Sequence, residues 1–184
     1  MPSAAETREV LASLAKLHEE IDRESDRLVK RHAERLRCGR GCSACCIDDL
    51  TVTAVEAERI RLDHPELLAF AEPHPRGACA FLDEHGSCRI YESRPSVCRS
   101  QGLPLRFFVE DDDEEIEERR DICPLNLPDG PPLEDLAEED CWLVGPFELA
   151  LGRIAAAFAG EGHERVGLRG LFERDDAEAR SGDR

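Results

Sequence analysis

Residues 38–46 read CGRGCSACC and bring four thiols into a stretch of nine residues. An ordinary apolar core has no need of so many cysteines in one short loop, whereas a metal ion or an iron–sulfur cluster is held by thiolates that converge in this way. Gly39 and Gly41 allow positive φ angles, so the backbone can wrap closely enough for Cys38, Cys42 and Cys45 to reach one centre. The stretch predicts a loop built round a metal, with the rest of the chain folded against it.

Cys46 needs a separate account because it follows Cys45 directly. Adjacent side chains point away from each other in an extended backbone and are about 100° apart in a helix. We therefore predict that Cys46 reaches a different metal atom or site from Cys45. The alternative is that one of the two is a ligand and the other is a buried thiol that packs as a small apolar side chain.

Five more cysteines follow, at positions 79, 88, 98, 123 and 141. Cys123 precedes a proline, as the last cysteine does in bacterial ferredoxin ligand runs. Cys79, Cys88, Cys98 and Cys123 bring the set of candidate ligands to eight thiolates, enough for two four-ligand centres or for one cluster with spare thiols. Cys141 has no neighbouring glycine or proline and stands beside Trp142, which predicts a buried core thiol.

Arginines are concentrated near the cysteines. Residues 35–47 and 93–109 contain no carboxylate, although the chain as a whole is acidic. Such cations would lower thiol pKa values and offset the negative charge of a thiolate centre, which is the function we predict for them. The alternative is that they pair with the acidic surface. The residues concerned are Arg35, Arg37, Arg40, Arg94, Arg99 and Arg106.

Composition limits the class of protein. The chain has 184 residues and a formal net charge of −17, from 41 acidic and 24 basic residues, so we expect it to bind neither nucleic acid nor an anionic membrane. The sequence begins without a basic and apolar leader, and its longest apolar stretch, Trp142 to Ala159, is interrupted by Pro146, Glu148 and Arg153. We therefore expect a cytoplasmic protein without a membrane span, in which an odd number of cysteines favours ligands over disulfides.

The pattern of the whole chain predicts a mainly α-helical single domain with a few short strands, its helices arranged around an irregular, cysteine-rich metal-binding core. The expected parts are a long N-terminal helix over residues 1–36, the metal-binding region over 37–125, C-terminal helices of the same domain over 126–172, and a disordered tail over 173–184.

The N-terminal helix begins with a capping-box pattern, Ser3 with Glu6, after which apolar residues recur at helical spacing as far as Leu28. This apolar stripe requires a partner. It packs either on the body of the domain or on the same helix of a second chain, as a coiled-coil dimer. No other protein partner is indicated by the sequence.

Local signals predict the remaining elements. A second capping box, Thr53 with Glu56, predicts a helix to about His64 after a strand at Leu50–Thr53. Turn residues between apolar triplets predict a hairpin over 80–91 with Cys79 and Cys88 at its ends. We also predict a short helix at Glu66–Ala71, a strand at Leu105–Val109, a solvated acidic excursion at Glu110–Glu118, and helices at Leu133–Cys141 and Pro146–Ala159.

Two motifs in order carry a family resemblance: Cys38-x3-Cys42-x2-Cys45-Cys46, and Cys88-x-Ile90-Tyr91-x2-Arg94-Pro95-x2-Cys98-Arg99. Together they resemble the YkgJ-like cysteine-cluster family, the CxxCxxCC proteins described as zinc- or iron-chelating domains. The resemblance spans roughly residues 38 to 124. It implies that the metal-site thiols are Cys38, Cys42, Cys45, Cys46, Cys79, Cys88, Cys98 and Cys123.

The function favoured by these patterns is a non-catalytic module that holds an iron–sulfur cluster or zinc. The cluster is preferred because the loop is rich in glycine, free of histidine and crowded with thiols. The first alternative is a thiol redox sensor or metal-buffering protein, for which adjacent cysteines supply exchangeable thiols.

A cluster-dependent enzyme is less favoured. The spacing Cys38-x3-Cys42-x2-Cys45 is that of radical S-adenosylmethionine enzymes, but Ala44 stands where those enzymes usually have an aromatic residue. The chain also lacks the alternating strand and helix pattern of their barrel. No catalytic motif can be identified, so the sequence names no reaction.

Overall fold

The computed structural model describes residues 3–110, 114–160 and 165–173. Helices predominate and the strands are short, which confirms the predicted class at that level. No helix among these residues is both long enough and apolar enough to cross a membrane. The helices are α1 (Ala4–Arg31), α2 (Ala54–Asp63), α3 (Pro65–Phe70), α4 (Ser96–Arg99) and α5 (Val144–Ala159), and the strands are β1 (Thr51–Thr53), β2 (Leu105–Glu110), β3 (Ile116–Asp121), β4 (Trp142–Leu143) and β5 (Arg165–Gly167).

Helix α1 begins as predicted. The backbone nitrogen of Ser3 donates to Glu6 Oε2 at 2.7 Å, and the backbone nitrogen of Glu6 donates to Ser3 Oγ at 3.3 Å. Its buried stripe, which includes Leu14, Leu17 and Ile21, packs against α2, α4 and α5. The stripe therefore has its partner within the chain, as the first of the two alternatives predicts, and dimerisation through α1 remains a prediction.

The end of α1 lies at Arg31 instead of near residue 36. Arg31 donates to both carboxylate oxygens of Asp140, at 2.9 and 2.8 Å, and the ring nitrogen Nε2 of His32 lies 2.7 Å from the Asp140 carbonyl oxygen. These two successive contacts with one distant residue hold the chain in a turn, which leads directly into the cysteine loop.

The strands form two small sheets. β1 pairs antiparallel with β5, with Val52 opposite Val166. The other sheet has the order β3-β2-β4, in which β2 is antiparallel to β3 and parallel to β4. Leu105 of β2 stands opposite Trp142 of β4, which connects this sheet to the start of α5.

Strand β3 corrects the prediction of a solvated acidic excursion at Glu110–Glu118, of which residues 111–113 lie outside the described residues. Carboxylates of this hairpin pair with arginines of the same strand or of the partner strand. Glu118 accepts from Arg106 Nε of β2 at 2.7 Å and from Arg120 Nε of β3 at 2.7 Å. A run of carboxylates can therefore form a strand because its partner strand supplies cations.

The predicted helix Leu133–Cys141 is also wrong. The chain instead makes two short 3-10 turns, Leu133–Asp135 and Glu138–Asp140, and then enters β4. Arg120 Nη1 donates to the carbonyl oxygens of Leu133 and Leu136, at 2.8 and 2.7 Å. The arginine occupies carbonyl acceptors that a continuing helix would have used for its own hydrogen bonds.

Two other predictions hold only in part. The hairpin over 80–91 is reduced to a single bridge between Leu82 and Cys88, around a turn in which the carboxylate of Asp83 accepts from the backbone nitrogens of His85 and Ser87. Helix α5 forms as predicted but begins two residues earlier, at Val144, and its Leu149 is 66% exposed. Of the predicted tail at 173–184, only residue 173 is described.

The apolar interior has two main parts. One surrounds Phe81 and includes Val52, Ile60 and Phe172, with Cys79 buried among them. The other lies where α1 meets Trp142, Leu103 and the inner side of α5. Cys141 is 4% exposed and adjoins the second part, as predicted for a core thiol.

The carboxylate of Glu56, on α2, fastens α4 to α2 and to the end of β1. Its Oε2 accepts from the backbone nitrogen and the hydroxyl of Thr53, at 3.1 and 2.9 Å, and its Oε1 accepts from the backbone nitrogen of Ser96 at 2.8 Å. His18 Nε2 lies 3.9 Å from Oε1. Burial alone would raise the pKa of Glu56, but His18 and these hydrogen bonds outweigh burial and lower the pKa to about 2.

Replacing this buried carboxylate should make the protein less stable in a pH-dependent way. The pKa falls from 4.5 to about 2, so we expect Glu56→Gln to lower the free energy of unfolding at pH 7 by about 3 kcal/mol. Because the folded pKa is the lower one, the stabilisation is complete above the unfolded pKa and is lost as the pH falls towards 2. Denaturant titrations of both proteins between pH 7 and pH 3 should show the difference shrinking in acid.

Glu66→Gln, at an exposed position, is the matched control and should leave stability unchanged. A Glu56→Gln effect that stays the same from pH 7 to pH 3 would contradict the role assigned to the charge.

Candidate metal centre

The cysteine loop 38–46 has neither helix nor strand and is built from tight turns. The backbone nitrogen of Cys42 donates to the Gly39 carbonyl at 3.0 Å, and that of Cys46 donates to the Ser43 carbonyl at 2.9 Å. Gly41 has φ +83°, so the predicted use of a glycine with positive φ is confirmed there. Cys38 and Cys45 are exposed, and Cys42 and Cys46 are half-buried.

Asn126 anchors the first cysteine of the loop. This side chain is fully buried, and its Nδ2 donates to Cys38 Sγ at 3.4 Å and to the Gly102 carbonyl at 2.8 Å. Its Oδ1 accepts from the backbone nitrogen of Arg37 at 2.8 Å, and its own backbone nitrogen donates to the Cys123 carbonyl at 2.8 Å. Asn126 therefore joins the segments that carry Cys38 and Cys123, the first through its side chain and the second through its backbone nitrogen.

Gly102 approaches the same sulfur from the other side. A Cβ atom at this position would lie 2.4 Å from Cys38 Sγ, and the residue has φ +89°. A close backbone approach and an N–H donor directed at the sulfur are features of the shell around thiolate ligands. The surroundings of Cys38 thus fit a metal or cluster ligand.

Sequence reasoning missed both Asn126 and Gly102. Gly102 lies in a turn three residues after α4, and Asn126 follows the Cys123-Pro124 pair by two residues. Neither position carries a pattern that points to Cys38, because the contacts depend on how distant segments meet.

One group of thiols forms around Cys38. Burial raises the pKa of Cys38, the hydrogen bond from Asn126 lowers it, and the neighbouring thiols of Cys42, Cys123 and Cys45 raise it further. Two segments of the chain, the loop and the residues after β3, therefore bring these four cysteines into mutual electrostatic range.

A second group forms at the edge of the Phe81 core. The backbone nitrogen of Cys79 donates to the Cys46 carbonyl at 2.9 Å, and Cys46 and Cys88 pack against the cluster that contains Cys79. Burial raises the pKa of Cys98, on α4, to about 12, with further increases from the neighbouring Cys79, Cys88 and Cys45. Without a metal, this group favours protonated thiols.

The adjacent cysteines of the loop interact with each other, and the assignment of Cys46 to a different metal atom or site from Cys45 stays a prediction. The side chains of Cys45 and Cys46 interact, which lowers the pKa of Cys45 to about 6 and raises that of Cys46. Their other neighbours nevertheless differ. Cys46 interacts with Cys79 and Cys98, whereas Cys45 contributes to the surroundings of Cys38 and of Cys98.

The arginines in the carboxylate-free windows correct a further prediction. Instead of being reserved for thiolates, most of them pair with carboxylates from other segments: Arg37 with Asp129, Arg94 and Arg99 with Asp22, and Arg106 with Glu118 and Glu138. Arg35 donates instead to the carbonyl oxygens of Asn126 and Pro131. The windows lack carboxylates because the counter-ions come from elsewhere in the fold.

The cations that lower the pKa values of candidate ligand thiols are Arg89, Arg94 and Arg169, of which Arg94 lies in a predicted window. Burial raises the pKa of Cys88, whereas the charges of Arg94 and Arg89 lower it. Burial likewise raises the pKa of Cys79, whereas the charges of Arg169 and Arg89 lower it. Arg169 is held in place by Asp48 and by the carbonyl oxygens of His74 and Ala78. It lies outside both windows, and no local pattern predicts its contact with the thiols.

Cys141 stands apart from these groups. Burial raises its pKa, and the charged groups that act on it are Arg120, Asp140, Glu118 and Arg106, with no other cysteine among them. Its buried position beside Trp142 is that of a packing residue.

The eight remaining thiols do not form a closed shell. Within the described parts of the chain, no three histidine, cysteine, aspartate or glutamate side chains are grouped closely enough to hold a metal ion as they stand. Cys38 and Cys45 are also exposed. The structure therefore does not confirm a cysteine-rich core with helices around it, and several of the candidate thiols lie at the boundary between core and solvent.

Comparison with known proteins gives one match. No curated protein and no solved structure matches the chain. A family model described as "CxxCxxCC: Putative zinc- or iron-chelating domain" matches residues 37–124, which include all eight of these cysteines. Residues 37–124 therefore match a CxxCxxCC domain, in agreement with the resemblance that the two cysteine motifs indicate.

Proposed function

We propose that this CxxCxxCC domain binds its metal through eight cysteine thiolates: Cys38, Cys42, Cys45, Cys46, Cys79, Cys88, Cys98 and Cys123. The observation that carries the proposal is that these cysteines, which come from separate segments, are electrostatic neighbours of one another. Cys141, which lies outside the matched region, has no cysteine neighbour of this kind.

The bound group in this proposal is an iron–sulfur cluster in preference to zinc. Both accept four thiolates, and a cluster would supply one-electron redox chemistry where zinc would supply a structural cross-link. The hydrogen bond from Asn126 to Cys38 supports the cluster, because N–H donors to cluster sulfurs stabilise their negative charge. The loop also offers thiols without any histidine, the residue that often completes zinc sites.

The role we propose is binding and cross-linking, not catalysis. Metal ligands from residues 38–46, 79–98 and 123 would tie the loop to the Phe81 core and to the turn after β3. Residues 37–125 are then the metal-binding region, and the segments 1–36 and 126–172 supply the helices that support it. Thiols that must stay reduced to bind a metal also suit a cytoplasmic location.

Metal and sulfide analysis of protein purified without oxygen tests the proposal. We expect iron and acid-labile sulfide in whole-number ratio to the chain, with visible absorption that gives a brown solution. Cys141→Ser is the matched control, because it removes a thiol outside both groups and should leave the metal content unchanged.

Colourless protein with stoichiometric zinc would refute the cluster and keep the thiolate site. Protein that holds no metal, and whose thiols oxidise and reduce reversibly, would contradict metal binding and favour the thiol redox alternative.

A glycine substitution tests the position of Cys38 without removing a thiol. Gly102→Ala places a Cβ where only 2.4 Å separates it from Cys38 Sγ, so the sulfur must move and the metal content should fall, by up to about twofold if Cys38 belongs to one of two centres. Gly160→Ala is the control, because Gly160 also has positive φ but has no atom within 4 Å of the added Cβ. It carries the same kind of backbone strain without the clash. Equal metal content in the two variants would argue against Cys38 as a ligand.

A further inference from the structure

We infer that the eight thiolates form two separate four-thiolate centres, a deduction that rests on the proposed function. The first centre consists of Cys38, Cys42, Cys45 and Cys123. The second consists of Cys46, Cys79, Cys88 and Cys98. Four thiolates are the ligand set of a tetrahedral zinc site and of the common iron–sulfur clusters, so each set is complete by itself.

The first centre is defined by Asn126. Its side chain donates to Cys38 Sγ, while its backbone nitrogen donates to the Cys123 carbonyl, so the two outermost ligands share one buried residue. Cys42 is fixed relative to Cys38 by the turn in which its backbone nitrogen donates to the Gly39 carbonyl. The cysteines that act electrostatically on Cys38 are Cys42, Cys123 and Cys45, which are the other three members of this set.

The second centre is attached to the Phe81 core. Cys46 accepts through its carbonyl from the backbone nitrogen of Cys79, and Cys46 and Cys88 pack against the apolar cluster that contains Cys79. The bridge between Leu82 and Cys88 brings Cys88 back beside Cys79 after a short turn. Cys98 completes the set from α4, with Cys79 and Cys88 as its strongest thiol neighbours.

The division falls between two adjacent residues. Cys46 packs against the Phe81 cluster and its carbonyl accepts from the backbone nitrogen of Cys79, whereas Cys38 is held by Asn126 and lies close to Gly102. Cys45 neighbours both Cys38 and Cys98, so it lies at the boundary, and it belongs to the first centre because the second already has four members. The two centres therefore lie side by side, joined by one peptide bond.

The two centres also differ in exposure and charge. Cys38 and Cys45 are exposed, whereas Cys79 is 8% exposed, and Arg89, Arg94 and Arg169 act on the second set. A chelator in solution should consequently reach the first centre sooner. Metal release should occur in two phases, of which the faster belongs to the first centre.

Single substitutions in the full-length protein test this division. Cys123→Ser removes a ligand of the first centre and Cys88→Ser a ligand of the second, and each should retain about half of the wild-type metal per chain. The double variant should retain almost none, and Cys141→Ser should retain all of it. Release to a chelator should lose its fast phase in Cys123→Ser and its slow phase in Cys88→Ser.

Cys42→Ser and Cys98→Ser repeat the test at other ligands, and circular dichroism identifies any variant that does not fold. Wild-type protein without metal would overturn the proposed function and the two centres with it. Wild-type protein that holds metal, while each single substitution removes all of it or none, would overturn the two centres alone.

Discussion

The buried amide of Asn126 is the contact on which the arrangement around the cysteine loop depends. It is fully buried, and it uses both ends of its side chain to hold Cys38, Gly102 and the backbone of Arg37. An amide buried without partners would be costly, so these segments are bound to it as a set. The loop lacks helix and strand, and its first thiol takes its position from this network.

The remaining thiols are placed by a different means. Cys79 and Cys88 belong to the Phe81 core, and Cys98 lies on α4, which Glu56 fastens to β1 and α2. Apolar packing and one buried carboxylate therefore position the second group, whereas hydrogen bonds to Asn126 position the first. The adjacent residues Cys45 and Cys46 accordingly differ in their surroundings, since Cys46 packs against the Phe81 core and Cys45 is exposed.

Much of the fold could be predicted because its signals are local. The capping boxes at Ser3 and Thr53 and the apolar period of α1 and α5 need only neighbouring residues to be read. The failures are contacts between distant residues. Arg120 binds carbonyl oxygens of the segment 133–141, which forms short 3-10 turns instead of the predicted helix. Arg106 binds Glu118 across the hairpin and so allows part of the acidic run to form a strand. For the site, cysteine spacing gives the candidate ligands, but Asn126, Gly102 and Arg169 come from segments that only the fold brings near the thiols.

The most direct measurement of the central claim is X-ray absorption at the edge of the bound metal. Thiolate centres predict a first shell of sulfur alone, with about four sulfur atoms per metal atom, at about 2.3 Å for zinc or for iron in a cluster. A cluster would add an iron–iron distance to the same spectrum. A first shell of nitrogen and oxygen atoms would show that the metal is held elsewhere and would contradict the account.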